Sequence, residues 1–209
     1  MCLRDKIAFY FVCQSVNPVN FDFHSHSSVS DGFLPPEAVA QRAAANGVDL
    51  WALTDHDDLG GLGIAAEAAA VAGMRFVPGV EISIEWEGTP IHILGLGVDY
   101  HHPDLVHGLE GLRAGRLERA RRMGDALAAI GIHGVYEGAL AYVTNPNLIS
   151  RAHFARYLVS IGIAKDVSGV FQYYLTPGKP GYVDHRWAGL DDAVDWIKAA
   201  GGVAVVAHP

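Results

Sequence analysis

Short apolar runs in this chain repeatedly stop at a histidine or a carboxylate, and that abrupt switch constrains the fold more than any other feature. Leu50-Trp-Ala-Leu-Thr-Asp55-His56-Asp57 is one such run, Arg75-Phe-Val-Pro-Gly-Val-Glu81 a second and Val203-Ala-Val-Val-Ala-His208-Pro209 a third. Buried parallel strands read as unbroken apolar runs, and α/β proteins place their chemistry at the carboxyl ends of such strands. Asp22-Phe-His24-Ser-His26 adds an alternating pattern that puts Asp22, His24 and His26 on one face. Pro90-Ile-His92-Ile-Leu-Gly-Leu carries a histidine inside an apolar strand. Each has an ordinary explanation alone, a solvated strand-end Glu or a hydrogen-bonded core histidine. Repeated at the same end of successive strands, they point to one shared site at the mouth of a barrel.

The donors gathered this way are His24, His26, Asp31 of Ser30-Asp31-Gly32, His56, Glu81, His92 and His208. Asp55 reads either as part of the set or as the cap of the next segment. Imidazole nitrogen with carboxylate oxygen suits divalent manganese, zinc or iron, and a site without paired cysteines is expected to be catalytic rather than structural. The only cysteines are Cys2 and Cys13. No disulfide framework is therefore available, which fits a reducing cytoplasm.

Strand and helix signals alternate along the first half. Pro35-Pro36-Glu37 opens an alanine-rich helix that stops at Asn46-Gly47, and a second runs from about Leu62 to Ala72 before Gly73. This order predicts an α/β fold with a mostly parallel sheet. Between His92 and Val203 the pattern turns helical, with Leu105, Leu109, Leu112, Ala120, Met123, Leu127 and Ile130 at helical spacing. Residues 100–182 are thus expected to form a helical cap inserted over the barrel mouth. Residues 1–19 hold an apolar stretch too short to span a bilayer and without a cleavage pattern, so they read as a poorly packed extension before a domain at 20–209. No membrane association is expected.

The net charge is −8, which argues against a general grip on a nucleic-acid backbone. Positive charge is nevertheless concentrated, since Arg113, Arg116, Arg119, Arg121 and Arg122 are five of eleven arginines. Arg116 and Arg119 share a helix face and can direct two guanidinium forks at one phosphate, unless that face is merely solvated. Arg151 and His153 are further candidates, His153 reading also as an interior residue. His101, His102, His107, His133 and His185 match no motif and read as surface or structural residues.

Taken in order, Asp-Phe-His-Ser-His, Ser-Asp-Gly, Thr-Asp-His, Gly-Val-Glu, His-Ile-Leu and Ala-His-Pro resemble the PHP (polymerase and histidinol phosphatase) family of metal-dependent phosphoesterases, over residues 20–209. The stretches Gly115–Ala120, Ile149–Ala155 and Tyr174–Tyr182 are similar to its 3′,5′-nucleoside bisphosphate phosphatases, a group that includes ribonuclease AM. The resemblance implies a distorted (β/α)7 barrel and up to three divalent metal ions, manganese foremost and zinc or iron as alternatives. It assigns His24, His26 and Glu81 to one ion, Glu81, His92 and His208 to a second, and Asp31 with His56 to a third. Asp31 and His56 become catalytic together with a hydroxide generated at the ions, and Arg116, Arg119, Arg151 and His153 become substrate-binding. The implied substrate is a nucleoside bisphosphate or another small phosphorylated molecule, with short RNA taken from its 5′ end as a further one.

The family adds an Asp-x-His pair beyond Ala-His-Pro, and this sequence stops at Pro209. The chain is therefore expected to be a C-terminally incomplete piece of a longer protein rather than a natural truncation that has lost activity, with a weakly held third metal, an unpaired strand edge prone to aggregation and little phosphatase activity by itself. Histidinol phosphatase shares the metal set but must recognise a small amine, which the clustered arginines disfavour. A domain that keeps the fold for structure or protein contacts is the third reading. Oligomeric state stays open.

Overall fold

The computed structural model describes residues 19–185 and 187–208. The expectations for the N-terminal extension and its two cysteines lie outside the described residues. The elements run β1 (Phe21–Asp22), α1 (Pro36–Ala45), β2 (Leu50–Leu53), α2 (Leu62–Val71), β3 (Arg75–Trp86) and β4 (Thr89–Leu96), then α3 (Pro103–Ala114), α4 (Arg116–Ala128), α5 (Val135–Leu140), α6 (Arg151–Ser160) and α7 (Val167–Val170). They close with β5 (Ala188–Gly189), α8 (Leu190–Ala199) and β6 (Val203–Val206). Proline opens α1 and α3. Gly47 and Gly73 take φ of 73° and 70° just beyond α1 and α2. Left-handed glycine lets the amides of Val48 and Met74 close back on Ala43 and Ala69.

Six strands form one sheet in the order β1-β2-β3-β4-β6, with β5 on β3. The α/β fold holds, as a mixed sheet curled into a half-barrel. The expected mostly parallel sheet is corrected here, since β1, β2 and β3 are parallel while β4 runs antiparallel to both β3 and β6. The cause lies in Glu87-Gly88, whose φ values are 49° and 75°. Two residues, both left-handed, close a tight hairpin, whereas a parallel connection needs about a dozen or more. Among the described residues β1 and β6 are the sheet edges, and β6 exposes Val203, Val205 and Val206.

Three apolar clusters hold the layers together. Ala40, Ala43, Leu62, Ala65 and Ala69 pack on Trp51 and Leu53, so α1 and α2 cover one face of the sheet. Leu105, Leu109 and Leu112 join Val80, Ile82, Ile84, Ala193 and Ile197, so α3 belongs with α8 and the sheet. From Ala120 to Val183 the helices make a core of their own around Leu127, Phe154, Leu158 and Leu175. The helical run that the apolar spacing suggested breaks between these cores at Gly115, where a β-carbon would lie 2.3 Å from His185 Cε1. Among the described residues no helix is long and apolar enough to cross a membrane.

Candidate metal centre and anion pocket

All seven donors converge, and Glu81 lies at their centre. Its side chain is fully buried midway along β3. Oε2 lies 3.1 Å from His24 Nε2, 3.1 Å from His26 Nε2 and 3.4 Å from His56 Nδ1. Oε1 lies 3.0 Å from His92 Nδ1 and 3.1 Å from His208 Nε2. Asp31 stands at one side, 3.8 Å from His56 Nε2 and 4.0 Å from His26 Nδ1. The picture of ligands at the carboxyl ends of successive parallel strands needs correction at two positions. Glu81 is mid-strand, and His92 sits within antiparallel β4 opposite Ser83. Residues 81 and 83 share one face of a strand, so His92 meets Glu81 as a diagonal cross-strand neighbour.

The donor set fits a cluster of divalent ions. Two ligand atoms each about 2.1 Å from one ion, at about 90–110°, are separated by about 3.0–3.4 Å, which is the spacing found around both Glu81 oxygens. Three groups bring their ligand atoms within 4.8 Å of one another, namely His24-His26-Glu81, His26-Asp31-His56 and His56-Glu81-His92, the Asp31 group being the widest at 3.8–4.0 Å. His26 Nδ1 and His56 Nδ1 are buried without a hydrogen-bond partner. Burial drives His56 down to about 3 against the pull of Asp31 and Glu81, leaving the neutral imidazole that a metal requires. Burial would raise Glu81, yet hydrogen bonds from His26 and His92, with the His56 ring beside it, hold it far below the usual carboxylate range. Burial would lower His26, but its bond to Glu81 and the charges of Asp31, Glu81 and Asp55 raise it.

Asp55 and Asp57, flanking His56, are the residues that sequence reasoning left undecided or passed over. Asp55 is neither a ligand nor a helix cap. It accepts from Ser27 N at 2.7 Å, Ser27 Oγ at 2.6 Å and Ser30 Oγ at 2.6 Å, and so anchors the loop that carries Asp31. Asp57 is fully buried and pairs with Arg116. From the helical layer, Arg156 donates to the Asp31 carbonyl. His153 accepts from Ser150 N at 3.0 Å, and burial pushes its pKa to about 4. This favours the interior reading of His153.

A cavity opens on Asp31, His56 and His92 and is lined as well by Arg116, Arg119 and Arg151. The arginine cluster therefore divides. Arg116 is held by Asp57, and Arg113 donates to the Asp57 carbonyl at 2.6 Å and faces Asp58. Arg121 and Arg122 are exposed. Arg119 is 7% exposed and, among the described residues, bonds only the Val183 carbonyl, at 2.9 Å. Arg151 likewise has no carboxylate partner among the described residues. Burial, with Arg151 nearby, lowers Arg119 to about 10, and burial lowers Arg151 too. Trp187 lies 5.0 Å from the Arg116 guanidinium and 5.4 Å from that of Arg119, while Phe171 lies 5.6 Å from that of Arg151. Neither aromatic carries a local sequence signal, because both arrive from distant turns of the chain.

A half-barrel that presents five imidazoles and a shared carboxylate beside buried cations defines a metal-dependent hydrolase of phosphate esters. The chain belongs to the PHP domain family, whose model matches residues 22–203. It is 56% identical over 190 residues to a 3′,5′-nucleoside bisphosphate phosphatase of Chromobacterium violaceum, covering 91% of this chain and 67% of that one. It is 43% identical over 189 residues to a 5′-3′ exoribonuclease of Haemophilus influenzae, covering 90% and 68%. A solved amidohydrolase from Chromobacterium violaceum, with bound sulfate and no metal, superposes with a TM-score of 0.90 at 56% identity over 91% of this chain and 67% of that one. The chain thus spans about two thirds of the length of each of these proteins.

Proposed function

We propose that this protein removes the 3′-phosphate from a nucleoside 3′,5′-bisphosphate. One observation carries the reading: the cavity that opens on the imidazole cluster is also lined by buried Arg119 and half-buried Arg151, two guanidiniums that pair with no carboxylate among the described residues. Buried cations without a counter-charge are costly, and an anionic ligand offsets that cost. A substrate with a phosphate at each end of a ribose gives each half of the cavity a partner. The 56% identical structure binds sulfate in the absence of metal, which accords with an anion site of this kind.

Up to three ions would be held by His24, His26 and Glu81, by Glu81, His92 and His208, and by Asp31 with His56, manganese being the expected occupant and zinc or iron the competitors. When bound, they supply Lewis acidity that neutralises the phosphoryl oxygens and makes a hydroxide nucleophile available near neutral pH. Arg119 and Arg151, with Arg116, bind the phosphate that is not cut and so orient the ester that is. Phe171 and Trp187 cover the guanidiniums and keep water from them, which strengthens the grip on the anion. Asp31 stays ionised despite burial because His56, His26, His153 and Arg156 surround it. Ionised, it is the group proposed to accept a proton beside the reacting phosphate. The helices from α4 to α7 act as a cap over this chemistry.

A 5′-phosphorylated RNA end presents the same pair of phosphates across one ribose, so short RNA degraded from its 5′ end is a second substrate. The 43% identity to an exoribonuclease supports that extension. Both substrates suit a cytoplasmic location. The test compares adenosine 3′,5′-bisphosphate with 4-nitrophenyl phosphate in the presence of manganese. Arg119→Ala and Arg151→Ala are expected to raise KM at least about tenfold more for the bisphosphate than for the aryl ester. Equal effects on both would refute the reading, and preferred turnover of histidinol phosphate would replace it.

A further inference from the structure

Asp57 follows the ligand His56 directly, yet its bonds go elsewhere. It is fully buried, and its φ of 49° lies in the left-handed region, which Asp tolerates better than most residues with a β-carbon. Its N–H donates to the Glu81 carbonyl at 2.9 Å, and one carboxylate oxygen accepts from Ser83 N at 2.7 Å. These bonds grip β3 on either side of Ile82, directly after Glu81. The other carboxylate oxygen takes Arg116 Nη2, which also lies 3.2 Å from Ser83 Oγ. Arg116 rests on Trp187 and lines the cavity, and its Nε is buried without a partner.

Arg116 and Arg119 look alike in the sequence, but only Arg116 is tied to a carboxylate that is itself tied to the strand bearing Glu81. A planar guanidinium fastened through one nitrogen keeps its remaining donors aimed, and binding an anion then orders no flexible side chain. We propose that Asp57 is a positioning residue that sets the Arg116 guanidinium at a fixed place relative to the Glu81 cage, so that one phosphate is gripped while the other lies at the imidazoles. This rests on the phosphate-binding reading given above.

The test is calorimetric titration of the metal-free chain, in chelator, with adenosine 3′,5′-bisphosphate. Asp57→Asn keeps shape and the acceptor for Ser83 N but removes the charge. It is expected to weaken binding at least about tenfold, because a hydrogen bond to a charged group is lost. If Asp57 acts through Arg116, the double variant Asp57→Asn/Arg116→Ala binds no more weakly than Arg116→Ala alone. Unchanged affinity in Asp57→Asn, or losses that multiply in the double variant, would overturn the role of Asp57. Should Asp57→Asn not fold, Ser83→Ala removes the second contact on Arg116 Nη2 and is expected to weaken binding by about threefold. Unchanged affinity there overturns the proposal equally. No binding by the wild-type chain, or binding indifferent to Arg119→Ala, sinks the phosphate reading beneath it. Binding weakened by Arg119→Ala but not by Asp57→Asn removes Asp57 alone.

Discussion

Replacing Arg119 with methionine is expected to make the empty protein more stable and the ligand-bound protein less stable. Its guanidinium pKa falls from 12.5 to about 10 because of burial and the neighbouring charge of Arg151. A folded-state pKa below the unfolded value means that folding disfavours the charged form, so the cost persists at every pH below about 10. The shift corresponds to about 3 kcal/mol. Against this, the variant loses the hydrogen bond from Arg119 Nε to the Val183 carbonyl and the contact with Trp187, together about 2 kcal/mol. The balance is a gain of about 1 kcal/mol, or about 2–4 °C in Tm for a chain of this size. Adenosine 3′,5′-bisphosphate at about 100 times its Kd stabilises the wild type by about 2.7 kcal/mol. With affinity reduced about 30-fold, the variant gains only about 0.9 kcal/mol at the same concentration. The two melting curves should therefore exchange order between buffer and ligand, as read by thermal denaturation in chelator. A variant less stable than wild type in anion-free buffer, or one that gains as much from the ligand, would refute the argument that Arg119 is an uncompensated cation kept for an anion.

Three further perturbations address the rest of the site. Glu81→Gln puts an amide nitrogen toward one of the two imidazole groups that now share a carboxylate. Manganese affinity should fall by at least about 100-fold and bound metal by at least one ion; elemental analysis that finds full stoichiometry would contradict the bridging role. His153 has a pKa lowered to about 4 by burial, so its contribution is complete above about pH 6.5 and is lost as pH falls toward about 4. Between those limits metal-free His153→Gln should lose about 2–3 kcal/mol less stability than wild type, and parallel urea-denaturation curves across that range would rule this out. Gly32→Ala places a β-carbon 2.3 Å from the His26 carbonyl oxygen and 2.7 Å from Ser27 C. Both are backbone atoms that cannot rotate away, so the loop bearing Asp31 must shift, at a cost of about 1–3 kcal/mol, and wild-type stability in chemical denaturation would contradict the clash.

The donors that converge on Glu81 were legible because a polar residue that ends an apolar run leaves a mark in one dimension. The same logic exposed α1 and α2 through their proline starts and glycine stops. His92 was legible as a member of the donor set but not as to its place, since the reversal that brings it beside Glu81 depends on Glu87-Gly88, a turn short enough to pass unnoticed within a continuous apolar stretch. Asp57 was written beside His56 and still carried no sign of its partner, because Arg116 reaches it across fifty-nine positions. The arginines make the distinction sharpest. Arg116 and Arg119 have the same charge, the same helix and nearly the same burial. Spacing on a helix face tells only that two cations are neighbours. What each can do is decided by the carboxylate it pairs with, and that is a property of folding: Arg116 pairs with Asp57, while Arg119 pairs with none among the described residues, which is what the proposal that a ligand's charge meets it rests on.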